Sequence, residues 1–202
     1  MGIIKTALEI ALEKTEKVKG DRSSIDQFEL KQRGKKLANA FLNGDAEIQG
    51  ELTSKEYEKL PLDSKLSLKK GIFDVLVTQI ILPVVKEDQN RLEKTGTGIS
   101  LVIDNTTNRN EFLNIYKQFL QMITQYFQEA AQYEQAIRQQ YAPKLRQKEE
   151  EVSRRLGREV RIDPLQDPEF VTFYNQHMTA LKSNYEGVIE QVKEEARRLF
   201  QN

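Results

Sequence analysis

His177 is the only histidine of the 202-residue chain, and imidazole is the side chain that most readily exchanges protons near neutral pH. General-base work would need a carboxylate held against it, but the acids nearest upstream, Asp167 and Glu169, lie two helical turns or more away. A helical di-metal centre fails on ligand count, because it needs two Glu-x-x-His pairs and the residue three before His177 is Tyr174. No catalytic, cofactor-binding or metal-binding residue is assigned from the sequence. An enzyme or small-molecule binder would have to build an inter-helix pocket near His177.

Other short patterns imitate chemistry without its context. Ser67-Leu68-Lys69-Lys70 and Lys94-Thr95-Gly96 resemble two motifs of penicillin-recognising enzymes, yet the Ser-Asp-Asn element and the mixed domain that chemistry requires are missing. Gly96-Thr97-Gly98 lacks the Gly-Lys-Ser/Thr ending of a phosphate loop and reads as a linker ending a helix. Met1-Gly2-Ile3-Ile4-Lys5-Thr6 fits the pattern for N-myristoylation, although a plain amphipathic helix explains the same residues. Asn105-Thr106-Thr107 is a glycosylation sequon only in a secreted protein. Tyr116, Tyr126 and Tyr133 share one helical seam and either line a cleft or sit at a boundary, ring inside and hydroxyl in water; the boundary is the expectation. Residues 144–161 mix Lys and Arg with Glu149, Glu150 and Glu151, which describes a solvated face.

Charge and composition narrow the classes further. With 31 basic and 31 acidic residues there is no overall field to draw the chain onto a polyanion, so nucleic acid is not an expected partner. The absence of cysteine removes disulfides, thiolate metal sites and cysteine nucleophiles. Residues 72–85 are the most apolar stretch but are shorter than a membrane span and contain Asp74, Gln79 and Pro83. Charged residues from Glu9 to Lys17 interrupt any secretory leader, so the expectation is a cytoplasmic protein with no transmembrane segment.

Helices must position whatever these residues do. Phe112, Tyr116, Phe119, Ile123, Tyr126, Ala130, Tyr133 and Ile137 step by four and three, the spacing of a heptad seam. The helix opens near Asn108 and Glu111, and Pro143 interrupts its register. A second seam, Val171, Tyr174, Met178, Leu181, Tyr185, Val188, Val192 and Leu199, fails at Glu195 and follows two Asp-Pro turns, with Pro168 suited to the first helical position. The two seams predict an antiparallel heptad hairpin over residues 108–201.

Upstream, residues 3–18 carry Ile3, Ile4, Ala7, Leu8, Ala11, Leu12, Thr15 and Val18 at helical spacing until Gly20-Asp21 breaks the pattern. A second helix, residues 24–43, starts at a Ser24/Gln27 capping box, is weakened by Gly34 and stops at Asn43-Gly44. Thr53 and Glu56 suggest another capping box. A third long helix, residues 63–93, capped by Asp63 or Ser64 and kinked at Pro83, is apolar on nearly all sides and is placed at the centre. Residues 99–103 make a short strand or a buried loop, and 160–162 are the only strand-like partner for a small two-stranded patch.

The chain from Met1-Gly2-Ile3-Ile4-Lys5 and Ala7-Leu8-Glu9-Ile10-Ala11-Leu12-Glu13 to Leu165-Gln166-Asp167-Pro168-Glu169-Phe170 resembles a bacterial family of about this length known only as a domain of unknown function. The resemblance implies a bacterial cytoplasmic protein and supplies no catalytic residues. The reading is a single all-α domain over residues 1–202, a bundle of long helices that acts as a non-catalytic interaction or scaffold protein. Its partner is another protein or a second copy of the chain. The rivals are a membrane-surface protein using residues 3–18 and an enzyme with a pocket near His177.

Overall fold

A computed structural model of the chain describes residues 7–201, with side chains from Ser24 onward apart from Glu87. Among the described residues seven α-helices follow in order: α1 (Ala7–Asn43), α2 (Ile48–Leu52), α3 (Lys55–Glu58), α4 (Leu62–Thr78), α5 (Gln89–Val102), α6 (Thr106–Leu156) and α7 (Pro168–Gln201). The fold is all-α, with no strand among the described residues. The two-stranded patch does not form, because residues 99–102 belong to α5 and residues 160–162 are tied to α6 by side chains. Ser153 Oγ accepts from the Val160 amide at 2.9 Å and Glu149 Oε1 from the Ile162 amide at 2.8 Å.

The chain divides into two compact units. The first comprises Met1–Ile80, Arg91–Leu113 and Ala196–Asn202, the second Ile81–Asn90 and Asn114–Glu195.

In the first unit α1 and α4 cross at two glycines. A Cβ on Gly34 would lie 2.2 Å from the Leu68 carbonyl oxygen, and one on Gly71 would lie 2.1 Å from that of Lys31. Only hydrogen fits between the two backbones there. Gly34, expected to weaken its helix, is thus a contact point. Lys31 and Asp74 pair at 2.7 Å one turn away, in the same antiparallel register. Around the crossing Ala38, Leu68, Ile72 and Leu76 are fully buried. Gly98 of α5 meets the same layer, since a Cβ there would stand 2.7 Å from Leu76 Cδ1 and 3.0 Å from Phe41 Cε1. Beside Ile72 on α4, the Phe73 ring stacks on that of Phe200 at 4.3 Å.

Several expected boundaries are corrected here. Residues 7–43 form one helix instead of a break at Gly20-Asp21; residues 3–6 lie outside the described residues. A glycine costs a helix about 1 kcal/mol, which a continuous helix absorbs, and no proline stops this one. The expected helix 63–93 ends at Thr78, before Pro83, and the chain runs non-helically to Val85. Burial follows that change: Ile80 is fully buried, whereas Ile81, Val84 and Val85 are exposed. Thr95-Gly96-Thr97-Gly98 is not a linker but the middle of α5. Thr95 and Thr97 donate to the carbonyls of Arg91 and Glu93 at 2.8 and 3.0 Å, so their hydroxyls are satisfied within the helix.

Caps shifted by a residue or three. Ser54, not Thr53, caps α3 by accepting from the Tyr57 amide at 3.1 Å. Pro61 precedes α4, in place of Asp63 or Ser64 as its cap. Asn105 opens α6, its Oδ1 accepting from the amides of Thr107 and Asn108 at 2.8 and 3.1 Å. Gly44 stops α1 as expected, with φ of +89°, and Gly157 follows the end of α6 with φ of +64°, the left-handed geometry that glycine alone adopts without steric cost.

In the second unit α6 continues through Pro143. That residue is exposed, so water reaches the carbonyl left without its amide partner, and Ile137 and Tyr141 stay buried on the same face. Ring contacts join α6 to α7 in descending order: Tyr126 meets Tyr185 at 5.0 Å, Tyr133 meets His177 at 6.1 Å, and Tyr141 meets Phe170 at 5.3 Å. Positions rising along one helix therefore contact positions falling along the other. The buried register of α7 differs from the expected one. It runs Tyr185, Ile189, Val192, Ala196, Leu199, so Glu195 is no gap, and Val188 lies 39 % exposed beside the seam.

Candidate functional site

The densest set of interacting titratable groups in the second unit gathers where α7 begins. Asp167 precedes α7 and caps it, Oδ1 accepting from the Glu169 amide at 2.9 Å. Lys148, from the charged half of α6, donates to both Asp167 oxygens at 2.9 and 2.7 Å and pairs with Glu169 at 2.5 Å. Tyr141 Oη lies 3.3 Å from each carboxylate, and Lys144 reaches Glu169 at 3.0 Å. Asp167 is 5 % exposed, a burial that a carboxylate tolerates only when paired.

Electrostatics follow these bonds. The Lys148 ammonium holds the Asp167 carboxyl below the usual carboxylate range, outweighing a desolvation that pushes the other way. Bonds from Lys148, then Lys144, lower Glu169 likewise. Lys148 itself is raised by bonds to Asp167 and then Glu169, and burial raises Tyr141. Asp167, Glu169, Lys148 and Tyr141 are each stabilised in their ordinary charge state at neutral pH. Proton-transfer catalysis needs the opposite, a group brought towards neutrality of driving force. The cluster works as a clamp that fastens the start of α7 to α6.

Asp167→Ala should therefore lower stability at pH 7 by about 2 kcal/mol, through loss of both cap and ion pair. A carboxyl held low stabilises the fold above its unfolded value of about 4 and loses that contribution as pH falls through its folded value. In urea unfolding the gap between wild type and variant should be widest at neutral pH and narrow below about pH 4. A pH-independent gap would contradict the clamp.

Aromatic groups surround His177. Its ring packs edge-to-face on Phe173 at 4.4 Å, and its Nδ1 lies 3.5 Å from Tyr133 Oη. Neither Asp167 nor Glu169 is engaged with it; both are taken up by Lys148. His177→Gln should change stability by less than about 1 kcal/mol, as read from the thermal midpoint. Among the described residues no group of three or more His, Asp or Glu is arranged to hold a metal ion. Ser67 donates to the Asp63 carbonyl at 2.8 Å within α4 and Lys70 is exposed, so the imitation of a serine–lysine pair ends at the spelling.

The tyrosines depart from the boundary expectation. Tyr116 and Tyr126 are 3 % and 6 % exposed; only Tyr133, at 40 %, meets water. Burial raises the Tyr116 and Tyr126 hydroxyls. Tyr185 donates to Glu129 at 2.5 Å, and burial, then that carboxylate, push it up to about 12. Sequence reading missed this cross-helix bond, as it missed the pairing of Lys148 with Asp167. The signal available for the latter was an aspartate directly before Pro168, a cap position.

Apolar surface remains. Beside the α6–α7 seam, Ile115, Phe119 and Met122 face Val188 and Val192 across a groove of about 420 Å³, with Gln118, Gln191 and Glu195 at its sides. Val188 falls here because the seam passes through Ile189.

No described helix is long and apolar enough to cross a membrane. The family described as "Family of unknown function (DUF6657)" matches residues 54–198, well over half of the chain, including Leu165 to Phe170 but not α1. No curated protein and no solved structure matches the chain.

Proposed function

We propose that this chain, which belongs to the family of unknown function DUF6657, is a non-catalytic helical interaction protein that works in the cytoplasm. The observation that carries the reading is the groove of the second unit, where Ile115, Met122 and Val188 present apolar surface over the buried Phe119 and Val192, between amide side chains. Grooves of this kind take the apolar face of a partner helix, with anchors at i, i+3, i+4 and i+7. Met122 adds a side chain that adapts to the partner's shape. The polar clusters support the same reading, since their charges are spent on fastening α7. The interaction is a docking of helices, with no bond made or broken.

Capture from a lysate of the native organism, with quantitative mass spectrometry, tests it in pairs. The wild type should retain a protein that Val188→Asp loses, because a charge in a desolvated groove costs several kcal/mol. His177→Gln should retain it. Equal recovery with Val188→Asp, or loss with His177→Gln, would contradict the reading.

A further inference from the structure

We propose that the first unit holds a binding site for an amphiphilic carboxylate, an anionic head on an apolar chain, in a recess between α4 and the last turn of α7. The site is separate from the groove of the second unit and does not rest on the helix-docking reading. Two observations carry it, the lining of the recess and the charges beside it.

The recess measures about 420 Å³, within the range of small-molecule sites. Every residue lining it belongs to the first unit. Leu66, Lys70, Phe73 and Val77 fall on one face of α4, stepping by four, three and four, and Arg197 and Phe200 stand three apart on α7. The Phe73 ring is buried and lies parallel to that of Phe200. That stack covers one face of the half-buried Phe200, whose remaining surface lines the recess. From Leu66 to Val77 the α4 wall is about 16 Å long at 1.5 Å per residue, whereas the α7 wall, Arg197 to Gln201, is one turn. A docked helix needs anchors out to i+7 and finds no second wall of that length. A thin chain laid along α4 needs only the long one.

Charge selects the head group. Basic residues around these turns are already engaged: Lys31 pairs with Asp74 at 2.7 Å, Lys69 with Asp104 and Arg198 with Glu111 at 2.6 Å, while Lys65 donates to the Glu58 carbonyl at 2.9 Å. Lys70 and Arg197 are the exceptions. Both line the recess, both are exposed, and neither side chain has an ion-pair or hydrogen-bond partner among the described residues. Asp74, the acid of the lining, is neutralised by Lys31. Two unpaired cations thus flank an apolar lining, to which their own methylene stems add, and an anion carrying an apolar chain is the complement of that arrangement.

Isothermal titration calorimetry of the full chain with decanoate should give saturable one-to-one binding with a Kd of about 100 µM. Decanol and decyltrimethylammonium, which carry a neutral or cationic head on the same chain, should bind about tenfold more weakly. Lys70→Gln/Arg197→Gln should keep the wild-type circular dichroism, since both residues are exposed, and should bind decanoate no better than decanol. Partial unfolding would weaken both ligands alike and could not erase the preference between them. Leu66→Ser, at a residue 53 % exposed, should do the reverse and weaken decanoate and decanol equally, by about threefold. Absence of saturation up to about 1 mM overturns the proposal. So do equal affinities for the three head groups, a Lys70/Arg197 variant that retains the preference, or a Leu66→Ser variant that binds as the wild type does. Co-sedimentation with phosphatidylglycerol vesicles by a chain that binds no free decanoate would assign the two cations to a membrane surface and also overturns it. None of these variants touches the groove, so partner capture stands or falls separately.

Discussion

Leu76→Asp should leave the protein unfolded at room temperature. Leu76 is fully buried in α4, and its Cδ1 stands where Gly98 of α5 makes its closest approach. A carboxylate placed there would meet aliphatic and aromatic side chains, and an unpaired buried charge costs several kcal/mol against a total stability of about 5 to 15. Protonation would lower the penalty without removing it, because the acid would still be an unpartnered polar group. Loss of helical circular dichroism at 25 °C, or a thermal midpoint lowered by tens of degrees, is the expected observation. A midpoint equal to the wild type would show that the core of the first unit lies elsewhere.

Gly71→Ala separates tertiary packing from local propensity, because the two predict opposite signs. In an isolated helix the exchange gains about 1 kcal/mol. In the fold the new methyl would stand 2.1 Å from the Lys31 carbonyl oxygen and 2.9 Å from its carbonyl carbon. Those are backbone atoms, and they can yield only if α1 and α4 move apart, opening space around Leu68 and Ile72. A net loss of about 3 kcal/mol is expected, seen as a lower urea midpoint at nearly constant slope. Stabilisation would contradict the close crossing.

How much of this was legible in the sequence depended on whether a feature was local. The stop at Gly44, the helical start at Pro168 and the burial of Phe112, Tyr116, Phe119 and Ile123 are encoded within one or two turns, and the structure places them as the spacing predicts. Glycine in the helices was misread because its role there is tertiary. Gly34, Gly71 and Gly98 look like weak points from within their own helices, and become contact points only once a second backbone is present. Gly20 lacks a proline or capping partner strong enough to end α1.

The break at Thr78 and the exposure of Val84 were hidden by an apolar run whose period fits both a buried helix and an extended chain. In α7 the choice between Val188 and Ile189 is one residue of rotation. Hydrophobicity does not decide it, whereas Ala196, small enough to be passed over as a core residue, does. The clamp of Lys148 on Asp167 joins residues 19 positions apart across a turn; each alone looks like ordinary surface charge.

Where a partner sits on the second unit is what distinguishes an interaction protein from an enzyme most directly. Amide hydrogen exchange of the chain with and without its captured partner measures that. Slowed exchange confined to the parts of α6 and α7 around Ile115 to Met122 and Val188 to Glu195 is the predicted result. Protection that leaves those segments unchanged and appears around His177 and Tyr133 instead would contradict the account and point to a bound ligand at the aromatic cluster.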